Sequence, residues 1–246
     1  MRRTKKNEEK IDIVLLTYNR RKVLQRTLEA IWARTKTPYR LIVLDNGSND
    51  GTVKYLKGLL RDKRIAKLVE LKDLPLCFAY NEGYKHIESE YCVTTQDDII
   101  PPLLKPDWLF QIKDLLDRNP DHGAIAMRVG RMINTRFKRD REIGYAKRAC
   151  CAYMRIHKKS TLAKNDPPFG ERYGHTDDVE FKKLMQRIGL QAGFASNIWA
   201  NHVTHSQVDN KGYGDQINYR GYNKHRNASI GHKPYPNVDP LTNQPI

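Results

Sequence analysis

Tyr91-Cys92-Val93-Thr94-Thr95-Gln96-Asp97-Asp98-Ile99-Ile100 decides the fold. Residues 91–95 are β-branched or aromatic at almost every position, the composition of a pleated, buried strand. Asp97 and Asp98 follow at once, and Pro101-Pro102 forbids continued regular hydrogen bonding after them. Open α/β sheets place their ligands outside the carboxyl ends of central strands. Paired hard oxygen donors at such a place suit Mg²⁺ or Mn²⁺ carrying a diphosphate. The same residues also fit a solvated turn, so the flanking chain has to choose between the two.

Upstream, apolar runs alternate with helical patterns. Ile11 to Thr17 is a continuous apolar run, as in a strand buried on both faces of a parallel sheet. From Lys22 to Thr35, Leu24, Leu28 and Ile31 share one helical face. A second buried strand at residues 40–44 ends in Asp45-Asn46-Gly47-Ser48-Asn49-Asp50-Gly51-Thr52, a loop of turn formers. Residues 53–60 read as a short helix, 67–71 as a third strand and 78–88 as a helix with Asn81 and Gly83 near its start. Such alternation predicts a doubly wound α/β fold with a mostly parallel central sheet flanked by helices.

Downstream the pattern loosens. Trp108, Ile112 and Leu115 predict a helix, and residues 123–129 a strand. Residues 131–148 are basic and aperiodic and read as loop, 149–156 as an edge or antiparallel strand, and 164–174 as a Pro/Gly loop. His175-Thr176-Asp177-Asp178 then opens a helix with Phe181, Leu184, Met185 and Ile188 on its apolar face and Gly189 as its C-terminal stop. A last strand at residues 192–200 leads to His202 and His205. The expected organisation is a basic tail over 1–10, one domain over 11–205 and a polar lid or tail over 206–246. The 11–100 half of that domain would bind nucleotide and the 101–205 half the acceptor.

The 246 residues carry a formal net charge of +16, which implies an anionic partner without naming it. Basic residues are spread along the chain and no nucleic-acid recognition motif appears, which argues against DNA or RNA. Cys77, Cys92 and the adjacent Cys150-Cys151 form no CxxC and read as reduced thiols of a cytoplasmic-type compartment. The charged start has no apolar stretch behind it, which predicts neither signal peptide nor transmembrane helix. Arg2, Arg3, Lys5 and Lys6 read as a solubilising tail, with peripheral contact to an anionic membrane as the alternative.

No glycine follows the first strand, where Thr17-Tyr18-Asn19-Arg20-Arg21 stands, so neither a dinucleotide fingerprint nor a P-loop is present. A nucleotidyltransferase is disfavoured for the same reason. The segments Ile13-Val14-Leu15-Leu16-Thr17-Tyr18-Asn19-Arg20, Val43 to Thr52, Asn81-Glu82-Gly83 and Gln96-Asp97-Asp98 together resemble a family 2 glycosyltransferase of the GT-A fold. Thr176-Asp177-Asp178-Val179-Glu180 and His202 extend that resemblance more weakly.

The resemblance implies an inverting transfer from a nucleoside diphosphate sugar, most commonly a UDP-sugar, to a hydroxyl of a glycan, lipid-linked or protein acceptor. Thr17, Tyr18, Asn19, Arg20, Asn81 and Gly83 would line the donor pocket, and Asp45 would accept a hydrogen bond from the base. Gln96 stands where the family's DxD motif has its first acid. Asp98 then becomes the expected Mn²⁺ or Mg²⁺ ligand, with Asp97 nearer the ribose and sugar, and His202 completes the metal or diphosphate site. Asp178, or its neighbour Asp177, matches the catalytic base. Each assignment has a plainer counterpart. Acids before a helix also cap it and answer its dipole, histidines past a strand end are commonly just polar, and Gln96 leaves open a degenerate fold used only for binding. His205 is the alternative to His202, and His175 is a neighbour able to tune the base. The cations Arg131, Arg136, Lys138, Arg139 and Arg141 fit a solvated face or an anionic acceptor, and residues 211–233 a lid.

Overall fold

A computed structural model of the chain describes residues 10–129, 135–136, 142–146, 154–171 and 177–202. The first half alternates strand and helix: β1 (Ile11–Thr17), α1 (Arg21–Arg34), β2 (Tyr39–Asp45), α2 (Thr52–Arg61), β3 (Lys67–Glu70), α3 (Leu76–Tyr84) and β4 (Tyr91–Gln96). The second half contains β5 (Ile99–Ile100), α4 (Trp108–Asp117), β6 (His122–Val129), β7 (Thr135–Arg136), β8 (Ile143–Ala146), β9 (Arg155–Lys158), α5 (Lys159–Leu162), α6 (Asp177–Arg187) and β10 (Gln191–His202). They build one sheet in the order β3-β2-β1-β4-β9-β6-β10-β8-β7, with β5 pairing β10 off that path.

Side-chain alternation along the strands divides the core in two. Ile13, Leu15, Val93, Ile125, Met127 and Ile156 face α1, α2 and α4, meeting Leu24, Leu28, Leu56, Trp108 and Ile112. Val14, Leu44, Cys92, Ala124, Ala126 and Phe194 face α3 and α6, meeting Ala79, Tyr80, Phe181 and Met185. Burying each such Leu, Ile or Phe side chain contributes about 1.5–3 kcal/mol. Gly83 shows how tightly one layer sits. A Cβ there would lie 2.8 Å from Leu44 Cδ1 and 3.0 Å from Val14 Cγ1, so α3 approaches the sheet only through a glycine.

Parallel pairing holds for β1 with β2 and β4, for β2 with β3, and for β6 with β10. The mostly parallel sheet is as expected, and of the two readings of residues 149–156, edge or antiparallel strand, the second holds: β9 runs antiparallel between β4 and β6 in the sheet interior. Its place is not an edge. Arg155 and His157 are buried on it, and a strand with such residues carries no apolar run to advertise its position. The stretch read as loop over 131–148 contains β7 and β8, an antiparallel pair. Pairing also resumes immediately after the acidic pair, because β5 precedes Pro101-Pro102 and joins β10. α3 ends at Tyr84 and so holds Asn81 and Gly83 in its second half. The C-terminus of α6 is as expected: Gly189 takes φ +76°, and the amides of Gly189 and Leu190 donate to Gln186 and Met185. Cys77 and Cys92 are buried free thiols. Cys150, Cys151, the basic cluster's side chains, His175, His205 and residues 206–246 lie outside what is described. Among the described residues no helix is long and apolar enough to cross a membrane.

Candidate active site

Parallel β1 and β4 end at the same rim, and their last residues assemble the acidic centre. Thr17 Oγ1 donates to Asp97 Oδ2 at 2.7 Å, and the Asp97 amide donates to the Leu16 carbonyl at 3.1 Å. From α1, Thr27 Oγ1 donates to the Asp97 carbonyl at 2.6 Å. Asp97 is therefore fixed through side chain and backbone. Arg20, just past β1, reaches both acids: its Nη1 lies 3.2 Å from Asp97 Oδ1 and 2.8 Å from Asp98 Oδ2. The register of β5 with β10 sets His202 opposite Ile99 and so delivers its Nε2 to 3.1 Å from Asp98 Oδ2.

The two carboxylates are 2% and 7% exposed, and their surroundings drive them apart. Burial pushes Asp97 up, with Arg20 opposing and Asp98 adding to the rise, to about 6. Burial also acts to raise Asp98, but His202 and Arg20 outweigh it and hold its carboxyl below the usual carboxylate range. The negative charge of the pair thus concentrates on Asp98. Among the described residues the buried Asp98 Oδ1 has no hydrogen-bond partner.

Asp45, at the end of neighbouring β2, repeats this asymmetry. Its Oδ1 accepts from the amides of Gly47 and Ser48 at 3.1 and 2.8 Å, while the buried Oδ2 has no partner among the described residues. Asn19 takes φ +49° and ties the two loops together, its amide donating to Ser48 Oγ and its Oδ1 accepting from the Asn49 amide. Tyr18 is half-buried beside it. Asn81 is committed elsewhere: its Nδ2 donates to the Gly170 carbonyl and its Oδ1 accepts from the Phe169 amide. Asn81 therefore fastens the 169–170 loop, and Gly83 serves packing. Asp177 and Asp178 are the first two residues of α6. That helix leads directly into β10, so its N-terminus lies at the same carboxyl rim.

Asp98 offers a hard oxygen, which suits Mn²⁺ and Mg²⁺ alike, and His202 an imidazole nitrogen, which suits the transition ion Mn²⁺ better than Mg²⁺. The unpartnered Asp98 Oδ1 fits such an ion, and Mg²⁺ is commonly held by one or two carboxylates with substrate phosphates completing its shell. Among the described residues no three His, Cys, Asp or Glu side chains cluster as a protein-only metal centre. His202 lies beside Asp98 as expected, delivered there by β5. Two features escaped the sequence reading: the Arg20 bridge needs the β1–β4 adjacency, and the buried Arg155 stacked 3.5 Å over the Phe181 ring needs the central place of β9.

Residues 12–176 match glycosyl transferase family 2. The chain belongs to that family. Part of it is 30% identical over 97 residues to the poly(ribitol-phosphate) β-N-acetylglucosaminyltransferase TarP of Staphylococcus aureus, covering 37% of this chain and 28% of TarP. The fold resembles the mannosyltransferase PcManGT of Pyrobaculum calidifontis, solved with GDP-Man and Mn²⁺, at a TM-score of 0.63 and 18% identity over 82% of this chain and 59% of that one. It also resembles S. aureus TarS 1-349, solved with UDP, at a TM-score of 0.59 and 16% identity over 78% and 60% of the two chains. This family 2 chain thus spans about a quarter of TarP and three-fifths of the two solved chains.

Proposed function

We propose that the chain transfers a sugar from a nucleoside diphosphate sugar, UDP-linked, to a hydroxyl of a glycan, lipid-linked or protein acceptor, inverting the anomeric centre. The observation that carries this reading is the pair of buried carboxylate oxygens without a partner among the described residues, Asp45 Oδ2 and Asp98 Oδ1, at the ends of two strands on one rim. Asp45 would take the base, while Thr17, Tyr18 and Asn19 shape the pocket around it. Residues 11–205 form the transferase unit in this reading, with residues 1–10 a basic tail.

Asp98 and His202 would hold the divalent cation, which supplies Lewis-acid neutralisation of the leaving diphosphate. Arg20 contributes a fixed positive charge at the same place, and Thr17 and Thr27 keep Asp97 from turning away. On the acceptor side Asp178, with Asp177 as the neighbouring alternative, takes the hydroxyl proton as that oxygen attacks C1. The bond from C1 to the diphosphate oxygen breaks as the new glycosidic bond forms, and the diphosphate leaves with the bonding pair. One base and no carboxylate nucleophile give a single displacement, hence inversion. The Arg20 bridge favours a second reading, a donor-binding fold that needs no metal, because a guanidinium already pairs with both acids where a cation would sit.

A thermal-shift panel of UDP, GDP, dTDP and CDP, each with and without Mn²⁺, separates the readings. UDP with Mn²⁺ should stabilise most, by binding linkage. Equal stabilisation without Mn²⁺ selects the metal-free reading, and no stabilisation by any nucleotide removes both. NMR of the product's anomeric signal tests inversion, and retention would refute the single displacement.

A further inference from the structure

The turn at residues 101–107, between β5 and α4, takes no part in the donor chemistry. Among the described residues four large apolar side chains are exposed: Leu60, Leu103, Phe110 and Trp199. Leu103 in this turn and Phe110 just past it are the most exposed of the four, at 58% and 51%. Single exposed apolar side chains are ordinary on a protein surface, whereas two around one turn point to an occupant.

The turn is held stiffly. At its start Arg34 Nη1, from the last residue of α1, donates to the Pro101 carbonyl at 2.7 Å. At its end Asp107 Oδ2 accepts from the amides of Lys36 and Thr37 at 2.9 and 2.7 Å, and Asp107 Oδ1 accepts from the Phe110 amide at 3.1 Å. Both ends are therefore tied to residues 34–37, and the chain between them is a short excursion from one place. Pro101, Pro102 and Pro106 restrict its backbone. Gln111 Nε2 donates to the Pro106 carbonyl at 2.6 Å and fastens the turn to the start of α4. All this order is achieved without covering Leu103 or Phe110.

Cations border the apolar pair. Lys36 and Lys105 are exposed, and the backbone amides of Lys36 and Phe110 share the Asp107 carboxylate. Asp107 is the one acid of the turn; it is 7% exposed and occupied by the amides of Lys36, Thr37, Leu109 and Phe110. Farther along α4, Asp114 is paired with Arg118 and Asp117 with Lys113. The charge that the turn offers to a partner is therefore positive, in the same sense as the net charge of +16. Leu103 and Phe110, each more than half exposed, project from the surface instead of lining a groove. Projecting apolar tips among lysines suit a fluid, anionic partner that closes around them.

We propose that this turn is a docking surface for an anionic lipid bilayer. Leu103 and Phe110 enter the boundary between headgroups and acyl chains, and Lys36 and Lys105 meet the headgroup phosphates. Neither lysine has to leave water, because its aliphatic stem can lie along apolar surface while the ammonium stays among the headgroups. Apolar contact alone would not select lipid over another apolar surface, and charge alone would not orient the protein on it. One stiff turn that carries both does each. The proposal is independent of the transferase reading, since no residue of the acidic centre takes part.

The test uses the full chain in flotation with two kinds of vesicle, phosphatidylcholine alone and phosphatidylcholine mixed equally with phosphatidylglycerol. Wild type should float with the mixed vesicles and far less with the neutral ones. Leu103→Gln with Phe110→Gln should weaken that binding about tenfold, because two inserted apolar side chains are lost. Lys36→Gln with Lys105→Gln should weaken it about 25-fold, roughly fivefold for each lysine at the surface. Lys54→Gln with Lys63→Gln, which removes two exposed cations elsewhere, should cost no more than about twofold. Thermal unfolding at the wild-type temperature shows that each variant is folded. Bromine-labelled phosphatidylcholine in the mixed vesicles should quench Leu103→Trp more than wild type, and Leu60→Trp no more than wild type. No flotation of wild type, equal flotation with both vesicles, or equal losses in the two lysine variants would overturn the proposal. So would a loss confined to a variant with Arg2, Arg3, Lys5 and Lys6 changed to Gln, which would assign the contact to those residues instead. A dimer in light scattering that Leu103→Gln with Phe110→Gln dissolves would make a second copy of the chain the occupant and overturn it too. None of these results bears on nucleotide binding, so the transferase reading stands or falls separately.

Discussion

The two halves of the sheet hold their functional residues by different means. On the β3-β2-β1-β4 side, each site residue follows directly from a parallel strand, and neighbouring loops lock it with short-range hydrogen bonds. Asp45 is held by the two amides that follow it, Asn19 by the loop at residues 48–49, and Asp97 by Thr17. On the β6-β10 side, Trp199 sits after a bulge and Arg155 on an inserted antiparallel strand, each in a stacked pair of cation and aromatic ring. In the proposed transferase reading, this difference would separate tasks. A donor nucleotide with a fixed shape suits a rim pre-set by strand ends, whereas an acceptor site can vary through bulges and insertions without disturbing it.

If this division is real, removing one acid from each side should damage different kinetic quantities. Asp178→Asn should lower transfer about 10²–10⁴-fold with UDP affinity unchanged, since it removes only the proton acceptor. Asp98→Asn should instead weaken Mn²⁺-dependent UDP stabilisation about 10–100-fold, the usual cost of disturbing a metal site. Steady-state kinetics beside thermal shift would distinguish them. Loss of UDP binding in Asp178→Asn, or intact Mn²⁺-dependent binding in Asp98→Asn, would erase the boundary between the halves.

Asp107 joins the two sides. It caps α4 by accepting from the amides of Leu109 and Phe110, and its other oxygen accepts from the amides of Lys36 and Thr37 in the turn after α1. Burial opposes its charge, but these donors outweigh that and hold its pKa below the usual value. Asp107→Ala should cost about 2–3 kcal/mol in urea unfolding, from a lost cap and amides left without an acceptor. A cost under roughly half a kcal/mol would mean that the halves dock through apolar contacts alone.

The comparison also explains what the sequence could disclose. β1, β2 and β4 were legible because buried parallel strands are apolar runs of the right length, and the Asp45-to-Thr52 loop because turn formers cluster in it. Asp97 and Asp98 were legible as a pair, but their unequal charge depends on Arg20 and His202, residues 77 and 104 positions from their partners along the chain. For β9 an antiparallel strand was legible, but its bounds and its interior place were not, because Arg155 and His157 break its apolar pattern; β7 and β8 escaped because two to four residues carry no period. Gly83 was read as a ligand contact. Local sequence shows that a backbone must come close to something there, without showing that the something is Leu44 and Val14.

His157 offers the smallest and most discriminating test of the inserted strand. Its ring is fully buried between Phe169 and Phe181, neither nitrogen has a partner among the described residues, and the residue lies opposite Cys92 on β4 and Ala124 on β6. Burial lowers its pKa well below the ordinary value, and Arg155 two residues away lowers it further. The folded chain therefore keeps His157 neutral where the unfolded chain takes up a proton. Its contribution is complete above the unfolded pKa of about 6.5 and falls with pH below that, by at most about 1.4 kcal/mol per unit. Asp97 acts in the opposite sense. Its raised pKa makes the fold the better proton binder below about 6, so its contribution grows as pH falls and is lost as pH rises through that value. Wild-type stability alone would mix the two. The difference between wild type and His157→Leu, from urea unfolding at pH 5 to 7, isolates the imidazole. That difference should shift steadily in favour of the variant as pH falls. A constant difference would mean that water or a proton reaches the ring, and that β9 is less firmly seated between β4 and β6 than the parallel strands around it.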